Sequence, residues 1–407
     1  MKGLGVIGTS DCQHPKWFLE IKNDLEDTGT GIYTKDGQNF LCSTEISLIY
    51  SQGGQGRRIH NLVLFPSRDC IPQFQEELLK RGRIDYDGRP IFKIPCPEFV
   101  DLVRGIDKDS EVIPAHVWTP WFSLFGSKSG FDSVEECFND RAKFIHCLET
   151  GLSSDPIMNW RLSRNDKYNL VSFSDAHSHW PWRIGRECTE LEIKNMTYGN
   201  VLSALRTNKI ARTIEFFPEE GKYHVDGHRA CGIIFTPEES KKNEGICPKC
   251  LKPLTIGVLN RVESLADRSQ GTKAPNAKPF LHLLPLAELL GFTLGFPVGH
   301  KNVWAAYTKI VDAFGNEMSA VLDGTQEQLL KVASEKIVRV MLQNRNQTLQ
   351  FKPGYDGVYG VPIIEGVEVK IKQDEAMNDA KEIRELNSQR SIRSKQVTQA
   401  QKNLGDF

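Results

Sequence analysis

The sequence has no apolar run approaching the roughly 18 residues of a membrane-spanning helix, and its N-terminus lacks the basic, then apolar, then small pattern of a secretory leader. These absences argue against a helical membrane protein and a secreted one, and they set the expectation of an intracellular, cytoplasmic chain with no membrane partner. No charge of either sign is in excess. The formal net charge is −1, so the global basic signature of many nucleic-acid binders is missing and any phosphate contact must come from local clusters. No Gly-x-x-x-x-Gly-Lys-Ser/Thr loop is found, which removes the visible basis for ATP-driven work. There is no internal repeat. Ten cysteines in a reducing compartment are expected to be thiols or metal ligands.

What is present is enough chain for roughly two or three domains at 407 residues. Up to about Phe217, short apolar runs alternate with helical stretches: Gly5 to Gly8, Asn61 to Phe65, Val112 to Ala115 and Leu170 to Phe173. Each run ends in polar residues, the pattern of a β/α barrel whose site lies at the strand C-termini. Residues 218–262 hold close-spaced ligand pairs. Residues 263–372 predict helices over Phe280 to Leu290, Asn302 to Phe314 and Glu327 to Leu342, then a loop or hairpin over Gly354 to Val361. Residues 373–407 are charged and amide-rich, as in a solvated tail.

Metal-ligand residue types follow the strand-like runs in series: Asp11 and His14, then Glu45, His60 and His116, then Asp175 and His177. Imidazole and carboxylate suit a polynuclear zinc or manganese site. Two metals about 3.5–4 Å apart clamp a phosphodiester, generate hydroxide and stabilise the leaving oxygen. Asp175 and His177, two apart, would share a face on a strand. His146, His224 and His282 lack such a setting and are expected to be structural.

The order His14, Glu45, His60, His116, Asp175-x-His177 resembles the second to last motifs of the PHP phosphoesterase family. The words Gly8-Thr9-Ser10-Asp11, His14-Pro15-Lys16-Trp17, Ser43-Thr44-Glu45-Ile46-Ser47, His116-Val117-Trp118-Thr119-Pro120-Trp121-Phe122 and Ser174-Asp175-Ala176-His177-Ser178 are similar to those of the endonuclease Q family. The resemblance extends to about residue 372. It implies a distorted (β/α)7 PHP barrel over 1–217, with a multinuclear site, and a nuclease that cuts DNA on the 5′ side of deaminated bases such as uracil, hypoxanthine or xanthine, or at abasic sites. Asp175, Arg58 and Lys128 are then the expected catalytic groups, with Mg²⁺, Mn²⁺ or Zn²⁺ as cofactor. One departure stands out. The family's first strand ends in a His-x-His pair that is missing before Gly5, which predicts either a start upstream of Met1 or an incomplete site.

His228-x-x-Cys231 and Cys247-x-x-Cys250 have the spacing of a structural tetrahedral zinc with one imidazole and three thiolates. Gly227, Gly232 and Gly245 flank them, where tight turns favour glycine. Arg57, Arg183 and Arg186 lie near the ligand words and offer charge to phosphates. Trp118, Trp121, Phe122 and Phe125 in one loop, with Trp180 and Trp182 in another, offer rings on which an extruded base stacks. Ser153, Ser154 and Asp155 are candidates for reading the base edge. The chain ends in Gln401-x-x-Leu404-x-x-Phe407, which resembles the short peptide that plugs into the sliding clamp PCNA. Three readings are thus open: a lesion-directed DNA endonuclease, a PHP-type phosphatase on a small phosphate ester, and a catalytically impaired DNA-binding protein.

Overall fold

The computed structural model describes residues 1–369 apart from Asp87 and Glu365. The clamp-like motif Gln401, Leu404 and Phe407 lies outside the described residues. Among them, no helix is long and apolar enough to cross a membrane.

The class is mixed α/β, with the strands among the described residues in six hydrogen-bonded sheets. Strand Val6–Gly8 pairs in parallel with Gln38–Leu41. Next to them lies the longest hairpin, Ser43–Gln52 against Gln55–Leu64. Its two-residue turn is Gly53-Gly54, both in the left-handed region (φ 62° and 74°), as the favoured hairpin turn requires. Strand Glu111–Pro114 adds antiparallel to the hairpin, and Ile91–Phe92 adds in parallel on its other edge. Cys147–Glu149 and Asn169–Val171 pair in parallel. Single bonds carry the series on: Val117 N donates to Glu149 O, and Ser172 Oγ to Ile214 O. The strands of the first region therefore lie side by side, but the antiparallel hairpin departs from the all-parallel order of a regular β/α barrel.

Alternation explains the hairpin's two faces. Ile46, Leu48, Ile59 and Val63 point into a core with the helices Cys70–Leu79 and Cys96–Ile106, leaving Glu45, Ser47 and His60 on the other face. A second core gathers Trp182, Ile214, Phe216 and Phe217 with the helices Leu286–Leu294, Lys301–Phe314 and Glu335–Arg345. Here two expectations are corrected. Phe280–His282 is a strand, paired in parallel with Thr213–Glu215, because Pro285 caps the helix that starts only at Leu286. The helix expected over Glu327 to Leu342 is two, Gln326–Leu330 and Glu335–Arg345, the second restarting on the Ser334 side-chain cap. The turn over Gly354 to Val361 does join a hairpin, Gln350–Lys352 with Val361–Ile364.

Glu215 ends the Ile210–Glu215 strand inside this junction. Its carboxylate accepts from Thr150 Oγ1 at 2.7 Å and from Thr213 Oγ1. Burial pushes it up to about 7 from 4.5, outweighing those bonds. The folded state therefore keeps a proton that the unfolded chain releases, so its stability contribution is full below pH 4.5 and falls as pH rises to about 7. The loss is on the order of 3 kcal/mol. Urea denaturation at pH 5 and pH 8 should show this fall, and Glu215→Gln should shrink it. An identical pH dependence in the two proteins would remove Glu215 as its source.

Candidate metal centre and nucleic-acid face

Glu45 and His60 were expected at strand ends. They lie within strands instead, brought together by hairpin register: Glu45 opposes Leu62 and Ser47 opposes His60, so the acid and the imidazole are diagonal neighbours on one face. His60 Nδ1 is 2.8 Å from Glu45 Oε1, and His116 Nε2 is 3.2 Å from the same oxygen. One donor atom from each of Glu45, His60 and His116 fits within 4.8 Å, a carboxylate-and-imidazole set that suits a divalent cation. The other nitrogen of His116 is 3.2 Å from Ser123 Oγ and 3.2 Å from Thr119 Oγ1, which fixes the ring.

The charges are tightly balanced. Burial disfavours the Glu45 carboxylate, but hydrogen bonds from His116 and His60 and the Arg89 charge hold it well below the usual range. Burial alone would lower His116, yet Glu45, Asp175 and Glu149 push it up to about 9. For His60 burial wins, and its affinity for a proton drops. Ser10, Asp11, His116, Phe122 and Asp175 all adopt positive φ without being glycine. Each such residue costs about 1–3 kcal/mol, and such strain clusters at functional sites.

The remaining expected ligands stand across from this group. Arg89, which sequence reasoning missed, lies between: its Nε donates to Glu45 Oε2 at 2.7 Å and its Nη2 to Asp175 Oδ1 at 2.8 Å. His177 Nε2 is 3.3 Å from the same Nη2. Burial and the Glu45 charge raise Asp11, opposed by Arg89, His14 and His177, so all five share one field. His14 is engaged as a helix cap, its Nδ1 accepting from Trp17 N at 3.5 Å. Trp17 Nε1 braces the Asp11 turn through Thr9 O and Ser10 O, both at 3.0 Å. Glu149 was also missed. It ends the Cys147–Glu149 strand and accepts from His116 N at 2.7 Å, with burial pushing it up to about 8. A lone arginine in a Gly-Arg-Pro turn and a glutamate before Thr-Gly have no spacing signal that would have found them.

The four residues of the second ligand set, His228, Cys231, Cys247 and Cys250, also bring their donor atoms within 4.8 Å. His228 and Cys231 lead into a left-handed turn at Gly232 (φ 63°), and Gly245 (φ 69°) leads into Cys247. The Cys247 thiol is disfavoured as thiolate by burial, but the backbone N–H groups of Cys250 and Lys249 lower it to about 7. Three thiols and an imidazole at this spacing fit zinc.

The expected DNA-facing residues divide. Arg57, Arg186, Trp118 and Trp182 are corrected to internal roles, because their charge or faces are already covered. Arg57 donates to Gly130 O and lies 4.0 Å over the Phe131 ring. Arg186 donates to Ser174 O and Asp175 O at 2.8 and 2.9 Å. Trp118 is 1% exposed with Nε1 donating to Asn159 Oδ1, and Trp182 is 4% exposed in the second core. Phe125 is fully buried too. Trp121 and Trp180 are 43% and 40% exposed, and Arg58 and Lys128 are exposed. Arg58 sits 5.6 Å over Phe122, whose ring lies 4.8 Å from His60. Arg183 is part-buried, 3.4 Å from Glu288. Ser154 and Asp155 are also engaged internally: Ser154 Oγ donates to Thr150 O, and Asp155 caps Met158 N and pairs with His282. His146 pairs with Glu111, and His224 is buried, as structural histidines.

A model of the MJ0043 C-terminal domain matches residues 285–348. The chain is 31% identical over 293 residues to the uncharacterized protein MJ0043 of Methanocaldococcus jannaschii, covering 70% of this chain but only 35% of that protein's length. It is 30% identical over 371 residues to the uncharacterized protein YqxK of Bacillus subtilis (strain 168), covering 88% of each. The lesion-specific endonuclease PfuEndoQ from Pyrococcus furiosus superposes with a TM-score of 0.79 at 28% identity, over 89% of this chain and 87% of that one. Endonuclease Q in complex with a 27-mer duplex bearing an abasic lesion at the active site superposes with 0.78 at 28% identity, over 92% and 91%.

Proposed function

This chain belongs to the endonuclease Q family, and from that premise we propose that it is a metal-dependent DNA-repair nuclease. It nicks the phosphodiester 5′ of deaminated bases or at abasic sites. The observation that carries this reading is the Glu45, His60 and His116 donor group, set beside the exposed Arg58–Phe122 edge in a chain with that fold. We read residues 1–217 as a distorted PHP barrel, 218–262 as a zinc-binding module and 263–372 as a helical C-terminal domain. The terminal motif in the 373–407 tail completes the proposal as a sliding-clamp peptide.

Glu45, His60 and His116 would hold the cation, with Asp11, His14, Asp175 and His177 completing the site on the far side of Arg89. Bound there, a divalent cation supplies Lewis acidity and a hydroxide at neutral pH. The chain's own groups do the rest. Ser123, Thr119 and Glu149 fix His116. Arg58 and Lys128 neutralise phosphates beside the scissile one, and Trp121 presents a ring for an unstacked base, whereas Trp180 is already stacked on His179 and Trp182. Likeness to a DNA-bound relative and the zinc module favour this reading over a small-ester phosphatase.

The test is a 5′-labelled duplex with a single deoxyuridine, deoxyinosine or abasic site, incubated with Mg²⁺, Mn²⁺ or Zn²⁺ beside an Asp175→Ala variant. A nick at the lesion, absent from undamaged DNA and from the variant, is the expected result. Retention of lesion DNA without any nick would leave the impaired DNA-binding reading. Hydrolysis of a small phosphate ester without either would leave the phosphatase.

A further inference from the structure

The Arg89 side chain sits where the proposed cation site needs open carboxylates. It ties Glu45 Oε2 to Asp175 Oδ1 with two different nitrogens, at 2.7 and 2.8 Å, and its Nη2 also lies 3.3 Å from His177 Nε2. A guanidinium has five donors and no lone pair to give. It cannot itself be a metal ligand, and while it stays its positive charge on Glu45 Oε2 and Asp175 Oδ1 opposes a divalent cation at those oxygens. Its two-pronged, always-charged geometry is also the one best suited to bridge two acids.

The backbone around Arg89 is built to stay while the side chain moves. Gly88 before it takes φ 95°, open to glycine and rare for other residues. Pro90 after it fixes its own φ and accepts from Ser47 N at 3.1 Å, two residues along the strand from Glu45. The anchor of Arg89 is thus pinned to the Glu45 strand, and its side chain keeps 27% exposure toward solvent. Without Arg89, Glu45 would face Asp11 and Asp175 with only the imidazoles beside it to offset the repulsion of like charges.

We propose that Arg89 is the resident cation of the metal-free site: it ties Glu45 to Asp175, and an incoming divalent cation displaces it. The inference rests on the reading of Glu45, His60 and His116 as a metal site. It makes Arg89 a positioning residue that competes with the metal.

The test is calorimetric titration of Mn²⁺ into zinc-replete protein without DNA, for the wild type, Arg89→Gln and Arg89→Lys. Arg89→Gln should bind Mn²⁺ at least tenfold more tightly than wild type, with Arg89→Lys between, since an ammonium keeps the charge but not the bridge. Before Mn²⁺ is added, Arg89→Gln should melt at a lower temperature than wild type, and Mn²⁺ should close that gap. Equal or weaker Mn²⁺ binding by Arg89→Gln overturns the inference. If that variant does not fold, arginine-labelled wild type decides. The Arg89 Nε resonance should move to the position of a solvated arginine on saturation with Mg²⁺, and an unmoved resonance overturns the inference. Because DNA is absent, a protein that follows this order yet fails to nick defeats the nuclease reading alone.

Discussion

Glu45→Gln should lower lesion-directed nicking by about a thousandfold or more, the scale on which removing a key preorganised electrostatic element of an active site registers. Glu45 is the one carboxylate of the close donor group, and three donors converge on it: His60 Nδ1, His116 Nε2 and Arg89 Nε. Glutamine has nearly the same shape but carries no charge, and its amide nitrogen would turn donor against donor. The loss should be in turnover at saturating metal, with a lowered melting temperature but a folded protein, because the buried donors lose their anion while the core face of Ile46 and Leu48 is untouched. Nicking assays over a metal series, with a thermal melt on the same preparations, measure both. Near-normal nicking by a folded variant would take Glu45 out of the site and shift the chemistry to the Asp175 side.

Removal of zinc should have the second largest effect. Apparent binding energies of structural zinc in small modules run to about 10–16 kcal/mol at neutral pH, more than hairpin Asp226–His228 with Ile233–Phe235 and the short helix Pro237–Lys242 could supply by themselves. A chelator, or Cys247→Ser, should open this module while the rest stays folded. Thiol titration tells the outcomes apart: chelation should expose the three thiols Cys231, Cys247 and Cys250, whereas global unfolding would expose all ten. Nicking should fall as well. The helix Val258–Leu265, which begins at the end of the module, carries Arg261, whose guanidinium donates to Phe125 O, Phe131 O and Asp132 Oδ1, so it braces the loop that begins at His116. A chelated protein with unreactive thiols and full activity would refute the zinc reading.

Much of the site was legible in the sequence, and the reasons it was not fully so are physical. The candidate ligands were visible because histidine and acid recur after apolar runs. Register was not, so Glu45 and His60 were assigned to strand ends when their meeting depends on which residues face each other across the hairpin. Arg57 and Trp118 illustrate a second limit. Composition marks a residue as able to touch DNA, but only packing decides whether its charge or ring is already taken, here by Gly130, Phe131 and Asn159. Arg89 escaped for the opposite reason, since its partners are 44 and 86 positions away and no local pattern points to them. Phe280–His282 read as a helix because a short apolar run suits either element until its partner strand is known.

That partner strand has a kinetic consequence. Ile210–Glu215 and Phe280–His282 are neighbours in one sheet, so the chain between them, ligand residues included, is a loop that must close before the second core can form. The cost of closure grows with the logarithm of loop length, about 0.6 kcal/mol per doubling. A metal that pinned His228 to Cys250 early in synthesis or refolding would shorten that loop by about a third, so zinc bound there would ease closure of this sheet by a few tenths of a kcal/mol.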